Sequence, residues 1–138
     1  MATSTRTKIQ CLEGAAKRLG CLLEGTLTGA TTTLLTIASG NSARYFRTSR
    51  TNASDQSLNG AEVYLKQATP PTPNPNIISL PDVGDGTLTV GITYSATPTA
   101  TGACDVFTQG VRYTDLEEAL NQTLRGLYYE ARVPLTFV

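Results

Sequence analysis

The chain of 138 residues contains no histidine. That removes the commonest general base and the commonest metal ligand together. Charge is also scarce. Asp, Glu, Lys and Arg make up 16% of the residues, where about a quarter is usual. Thr, Ser, Gly and Asn take their place, as on β-rich proteins that pack against neighbours, though a stable extracellular β-domain would look similar. Lys plus Arg number 11 and Asp plus Glu number 11, so the formal net charge is zero. A protein whose main partner is nucleic acid needs excess positive charge. Zero net charge also lowers the barrier to self-association. The three cysteines, Cys11, Cys21 and Cys104, are odd in number. Cys11 and Cys21 fall in one helical pattern, about 15 Å apart along its axis, which is too far to bridge. They read as reduced thiols of a cytoplasmic protein, and a catalytic thiol would lack its usual base. No run approaches the ~18 apolar residues of a membrane span. Residues 1–6 lack the apolar core of a signal peptide. The expectation is a protein made in the cytoplasm and not exported on its own.

What is present is punctuated by two helical patterns. In residues 5–24, Ile9, Leu12, Ala16, Leu19 and Leu23 recur at helical spacing, with Ala15 and Leu22 widening the stripe. Arg6, Lys8, Glu13, Lys17, Arg18 and Glu24 fall largely on the other faces. Gly20 interrupts the pattern, and Gly25 is placed to cap it. The second pattern is TDLEEALNQTLRGLYYEARVPLTFV. Thr114 and Glu117 have the spacing of a capping box, and Asp115, Glu117 and Glu118 suit the positive end of the helix dipole. Leu116, Ala119, Leu120, Leu124, Leu127 and Tyr128 form one apolar stripe. The helix is expected over 115–129. Pro134 forbids helix beyond it, so residues 132–138 are expected to be an extended tail.

Between them, residues 26–110 turn β-rich. TLTGATTTLLTI carries β-branched residues around a Gly turn. AEVYLKQ places Val63 and Leu65 on one face, and residues 76–80 are a short apolar run. DGTLTVGITY alternates strictly through Leu88, Val90, Ile92 and Tyr94 after an Asp85-Gly86 turn. Residues 104–107 are a further short strand. Residues 39–60 and the proline-bearing TPPTPNPN read as loops. The fold class is α+β: one domain over 1–138, with N- and C-terminal helices packed together and an inserted small β-sandwich or barrel.

Few motifs suggest chemistry. Asp82 and Asp85 lack the ligand pattern of a calcium loop. Asn52-Ala53-Ser54 and Asn121-Gln122-Thr123 match the short glycosylation pattern by chance. Glu117 with Glu118, or Glu13 with Glu24, have the residue types of an acid–base pair, but helix capping and a solvated face explain them. No Walker loop or GxGxxG occurs. With no convergent set of titratable residues, no enzyme, metal or cofactor is expected.

The layout resembles virion structural proteins of tailed bacteriophages, in particular small neck proteins that join head to tail. The residues that carry the resemblance are LGCLLEGT leading into ATTTLLTI, the central GDGTLTV, and LEEALNQTLR in the closing helix. The resemblance implies a homo-oligomeric ring between portal and tail proteins, located in a virion assembled in the host cytoplasm. It also implies weak, non-specific contact with DNA in the lumen, no cofactor and no membrane. Two other readings remain: another virion component (tail, baseplate or decoration protein), and a cytoplasmic nucleic-acid-binding protein using SARYFRTSR, where Arg44, Arg47 and Arg50 interleave with Tyr45 and Phe46. Two interfaces are expected. One is an exposed loop carrying Arg44, Tyr45, Phe46, Arg47 and Arg50, since arginine pairs and stacks at subunit contacts. The other is the tail, with Arg132, Val133, Leu135, Phe137 and Val138 adding to a neighbour.

Overall fold

Alternation of apolar residues sets the strands, and the strands close on themselves. The computed structural model describes residues 6–37, 58–81, 87–108 and 111–131. Its elements are α1 (Lys8–Leu19), β1 (Leu22–Ala30), β2 (Leu34–Ile37), β3 (Glu62–Leu65), β4 (Asn76–Pro81), β5 (Thr87–Val90), β6 (Ala103–Phe107) and α2 (Tyr113–Ala131). The six strands form a closed barrel in the order β1-β2-β5-β4-β3-β6, with every pairing antiparallel. The expected α+β class therefore holds, with a barrel as the β part.

Two strands make the corners. β1 pairs with β6 from Leu22 to Thr26 and with β2 from Leu27 to Ala30. β4 pairs with β3 at Asn76 and Ile77, then with β5 from Ile78 onward. Register shifts fall between Leu27 and Gly29, and between Ile78 and Leu80. Such bulges bend a strand and let it pass from one face of a barrel to the next.

The barrel interior is Leu27, Leu35, Ile37, Val63, Leu65, Ile78, Leu88, Val90, Cys104 and Val106, closed by Leu58, Ala61 and Tyr94. Val63 and Leu65 share the buried face as expected, and so do Leu88 and Val90. The alternation stops there, because β5 ends at Val90 and Ile92 is 56% exposed. The TPPTPNPN segment is irregular, as expected, but held. Asn74 accepts a hydrogen bond from the Leu65 N–H at 2.8 Å and donates to its carbonyl at 3.0 Å. The buried Asn76 amide donates to the Ile92 carbonyl at 2.7 Å.

A second apolar cluster lies on the outer face. Leu12, Ala16 and Cys21 meet Phe107, Tyr113 and Leu116, with Leu22, Tyr64 and Leu120 around them. This packs the two helices together over β1, β6 and β3.

Both helix ends differ from expectation. The first helix spans Lys8–Leu19 rather than 5–24. Gly20, at φ 70°, ends it. The Cys21 N–H bonds to the Ala16 carbonyl at 3.0 Å and the Gly20 N–H to the Lys17 carbonyl at 3.1 Å, which is the Schellman pattern. Gly25 is not the cap; it lies in β1 opposite Cys104. Leu22 and Leu23 suit helix or strand equally, and pairing with β6 decides. Cys21 thus lies beyond the helix, which removes the single-helix basis for separating it from Cys11. All three cysteines are free.

The second helix begins at Tyr113. The expected box between Thr114 and Glu117 is not made, because Thr114 is already inside the helix. Asp115 instead accepts from the Arg112 N–H at 3.2 Å. The hinge between TLTGA and LLTI is Thr31, not glycine: its hydroxyl accepts from the Leu34 N–H at 3.0 Å.

Candidate functional site

Two features of the described residues exceed what the fold requires. The first is the length of α2. Its 19 residues run about 28 Å at 1.5 Å per residue. The near half is anchored. Glu62 of β3, only 6% exposed, accepts from the Thr114 N–H and the Thr114 hydroxyl, both at 3.1 Å. A carboxylate there serves the unpaired N–H groups and the dipole of the first turn. Tyr113 stacks on Tyr64 at 5.0 Å between ring centres and meets Phe107 edge-on at 5.4 Å. Burial pushes the Tyr113 phenol above its ordinary pKa. Glu117 pairs with Lys8 of α1.

Beyond Leu120 the body falls away. Residues 121, 122, 123, 125 and 126 are exposed. Leu124 is half-buried and Leu127 is 49% exposed. A methyl group added at Gly126 would touch nothing within 4 Å. Leu116, Leu120, Leu124 and Leu127 lie within about 80° of one another around the helix at 3.6 residues per turn. One stripe is therefore packed on α1 and the barrel at Leu116 and Leu120, half-buried at Leu124, and exposed at Leu127.

The second feature is a charged cluster where α1 crosses the barrel. On the outer face, β-pairing sets Glu24, Asp105 and Tyr64 side by side. Asp105 is 1% exposed. Glu13 of α1 reaches down to it, and its own side chain is 13% exposed. Lys66, just past β3, lies 2.6 Å from Glu13 and 4.0 Å from Asp105. Lys17 pairs with Glu24 at 3.0 Å on the rim. Neither Asp105 oxygen receives a hydrogen bond from a donor group among the described residues; its neighbour is the other carboxyl. Burial, and then that neighbour, push Asp105 up to about 8. Burial alone would also raise Glu13, but hydrogen bonds from Asp105 and Lys66 outweigh it and hold Glu13 below its usual range. The Lys66 ammonium is raised, first by its bond to Glu13. A shallow cleft of about 280 Å³ opens beside Lys66 and Asp105. Cys104 borders it, but burial pushes its thiol up to about 12, so it is no nucleophile near neutrality. The set can hold and release one proton.

Glu13 is thus not on a solvated face, and its partner is Asp105 rather than Glu24. The signal was a lone Asp in the apolar run CDVF, which reads equally well as an outward strand residue. The expected interface residues, Arg44, Tyr45, Phe46, Arg47, Arg50, Arg132, Val133, Leu135, Phe137 and Val138, lie outside the described residues, as do Asp82 and Asp85. Among the described residues no group of three or more Cys, Asp or Glu is placed to hold a metal ion. No helix among them is long and apolar enough to cross a membrane. Compared with protein-family models, with curated proteins and with solved structures, the chain matches none.

Proposed function

We propose that this protein is a structural subunit of a tailed-phage virion that assembles into a ring, as a head–tail connector between portal and tail proteins. The observation that carries the assembly is the far end of the α2 leucine stripe, where Leu124 is half-buried and Leu127 exposed. A helix past its last tertiary contact is marginal alone, because isolated helices of this length gain little from propensity. Covering Leu124 and Leu127 with a neighbouring subunit supplies the missing packing. The connector role itself rests on the resemblance in layout, together with the zero net charge, which suits subunits that pack against one another. The Arg44–Arg50 loop and the 132–138 tail are the other contacts in this reading, and DNA in the lumen would be touched only weakly.

Negative-stain imaging and native mass spectrometry of the purified protein test it. Closed rings of fixed order are expected, and L124Q with L127Q should shift them to monomer while the barrel stays folded. A monomer at all concentrations, unchanged by that double substitution, overturns the reading. Copy number separates the connector from its rivals: hundreds of copies per particle point to a tail or decoration protein. A salt-sensitive complex with free DNA, lost when Arg44, Arg47 and Arg50 become Ala, points to nucleic acid instead.

A further inference from the structure

The Glu13, Asp105 and Lys66 cluster joins α1 to β6 and the end of β3, and its charges do not balance. The buried Asp105 carboxyl and the partly buried Glu13 carboxyl meet across the seam between α1 and β6, with one ammonium in reach of both. Both carboxyls lie within 4.0 Å of the same ammonium, and two like charges gathered around one cation in a partly dry site repel strongly unless a proton lies between them. We propose that α1 is a proton-controlled latch on the barrel, fastened while Glu13 and Asp105 share one proton above Lys66 and loosened when that proton leaves. This stands apart from the assembly reading, since it concerns the other helix.

The surroundings decide the direction. From α1 come Glu13 and, at the rim, Lys17. From β1 comes Glu24, which Lys17 already neutralises at 3.0 Å. From β3 and its end come Tyr64 and Lys66. In β6, the thiol next to Asp105, Cys104, belongs to the barrel interior. No second cation among the described residues is placed within ion-pair distance of Asp105. When the shared proton leaves, the pair carries two negative charges against one positive charge, and the excess lies between helix and barrel. The apolar contacts of Leu12 and Ala16 then hold α1 without help from the pair.

The sign follows from linkage. The docked state retains the Asp105 proton up to about pH 8, while a released, solvated carboxyl loses it near pH 4. Docking therefore weakens as pH rises between these values and changes no further above the upper one; in stronger acid Glu13, held below its usual range while docked, takes up a proton and docking weakens there too. The α1 opening constant should rise about tenfold per pH unit across roughly pH 5 to 8 and then level off.

Hydrogen exchange of the α1 amides in the intact chain, corrected for intrinsic rates, reads this constant directly. Side-chain carboxyl NMR reads the titration itself. Wild type should show the rising slope and the plateau, with one carboxyl titrating near neutrality or above. D105N, which keeps a donor without a charge, should abolish the slope and keep α1 docked over the same pH range. E13Q leaves Asp105 with Lys66 and no rival carboxyl, so the midpoint should fall by a unit or more. The proposal is overturned if both carboxyls titrate below pH 5. It is equally overturned if α1 protection in wild type does not depend on pH, or if D105N keeps the wild-type slope.

Discussion

Inside the barrel the buried side chains are Leu, Ile, Val and Ala, with Cys104 and Tyr94. On the outer face, beneath the helices, two carboxyls, Glu62 and Asp105, are buried among Phe107, Tyr64 and Tyr113. An aliphatic interior is held by area and shape, which carry no proton to titrate. The outer layer hangs on a few polar contacts whose strength depends on charge state. The barrel is thus the fixed part of the molecule, and the helices are the parts whose attachment can be tuned.

The most severe way to break this contrast is inside. Leu35 is fully buried, so Leu35→Ala should lower stability by about 2–5 kcal/mol. Urea denaturation should show one cooperative transition at lower midpoint, with barrel and helices lost together. If the helices melt first, the two layers are separate cooperative units.

Glu62→Ala acts only on the outer layer. It removes the carboxylate acceptor of the Thr114 N–H and hydroxyl; Thr114 is exposed, so water replaces part of it and the expected loss is about 1 kcal/mol. Exchange should quicken in the first turns of α2 more than in β3. Gly102→Ala is comparable in size. Its methyl would lie 2.8 Å from the Gln67 side-chain nitrogen and 3.2 Å from the Thr99 carbonyl, where Gln67 and Thr99 exchange two hydrogen bonds. A loss of about 1 kcal/mol in stability, read as a lowered thermal midpoint, is expected.

The mildest test sharpens the contrast instead. Gly126→Ala meets open space and removes a poor helix former, so the isolated subunit should gain roughly 0.5–1 kcal/mol in α2. Circular dichroism should show more helix with the barrel unfolding unchanged. A loss in the assembled protein, with a gain in the monomer, would place Gly126 at a close subunit contact.

Much of the barrel was legible because its information is local. Period-two faces at Val63 and Leu65, or Leu88 and Val90, need no partner to be seen. The helix stripes were legible for the same reason. Their boundaries were not, because LLEG satisfies both periods and only pairing with β6 chooses. The anchoring residues were hidden more deeply. Glu62 looks like an exposed strand residue until Thr114 is known to lie over it, and Asp105 looks likewise until Glu13 is brought across from another element. Capping chemistry was expected within α2 itself, at Thr114 and Glu117; Asp115 supplies part of it and the barrel the rest through Glu62, while Glu117 serves the contact with α1.

The closure of β1 on β6 has a consequence in time. Thr26 is paired with Ala103, so the first strand of the barrel to be synthesised waits for the barrel's last before its edge is covered. Pairings this distant in sequence slow folding, since the chain must close a long loop before the contact repays it. Until then, β1 presents the unpaired N–H and C=O groups of an edge strand to every other nascent chain nearby. The local hairpin of β1 with β2 can form early and shield one side of its second half. The side that receives β6 stays open longest, and misassembly during synthesis should begin there.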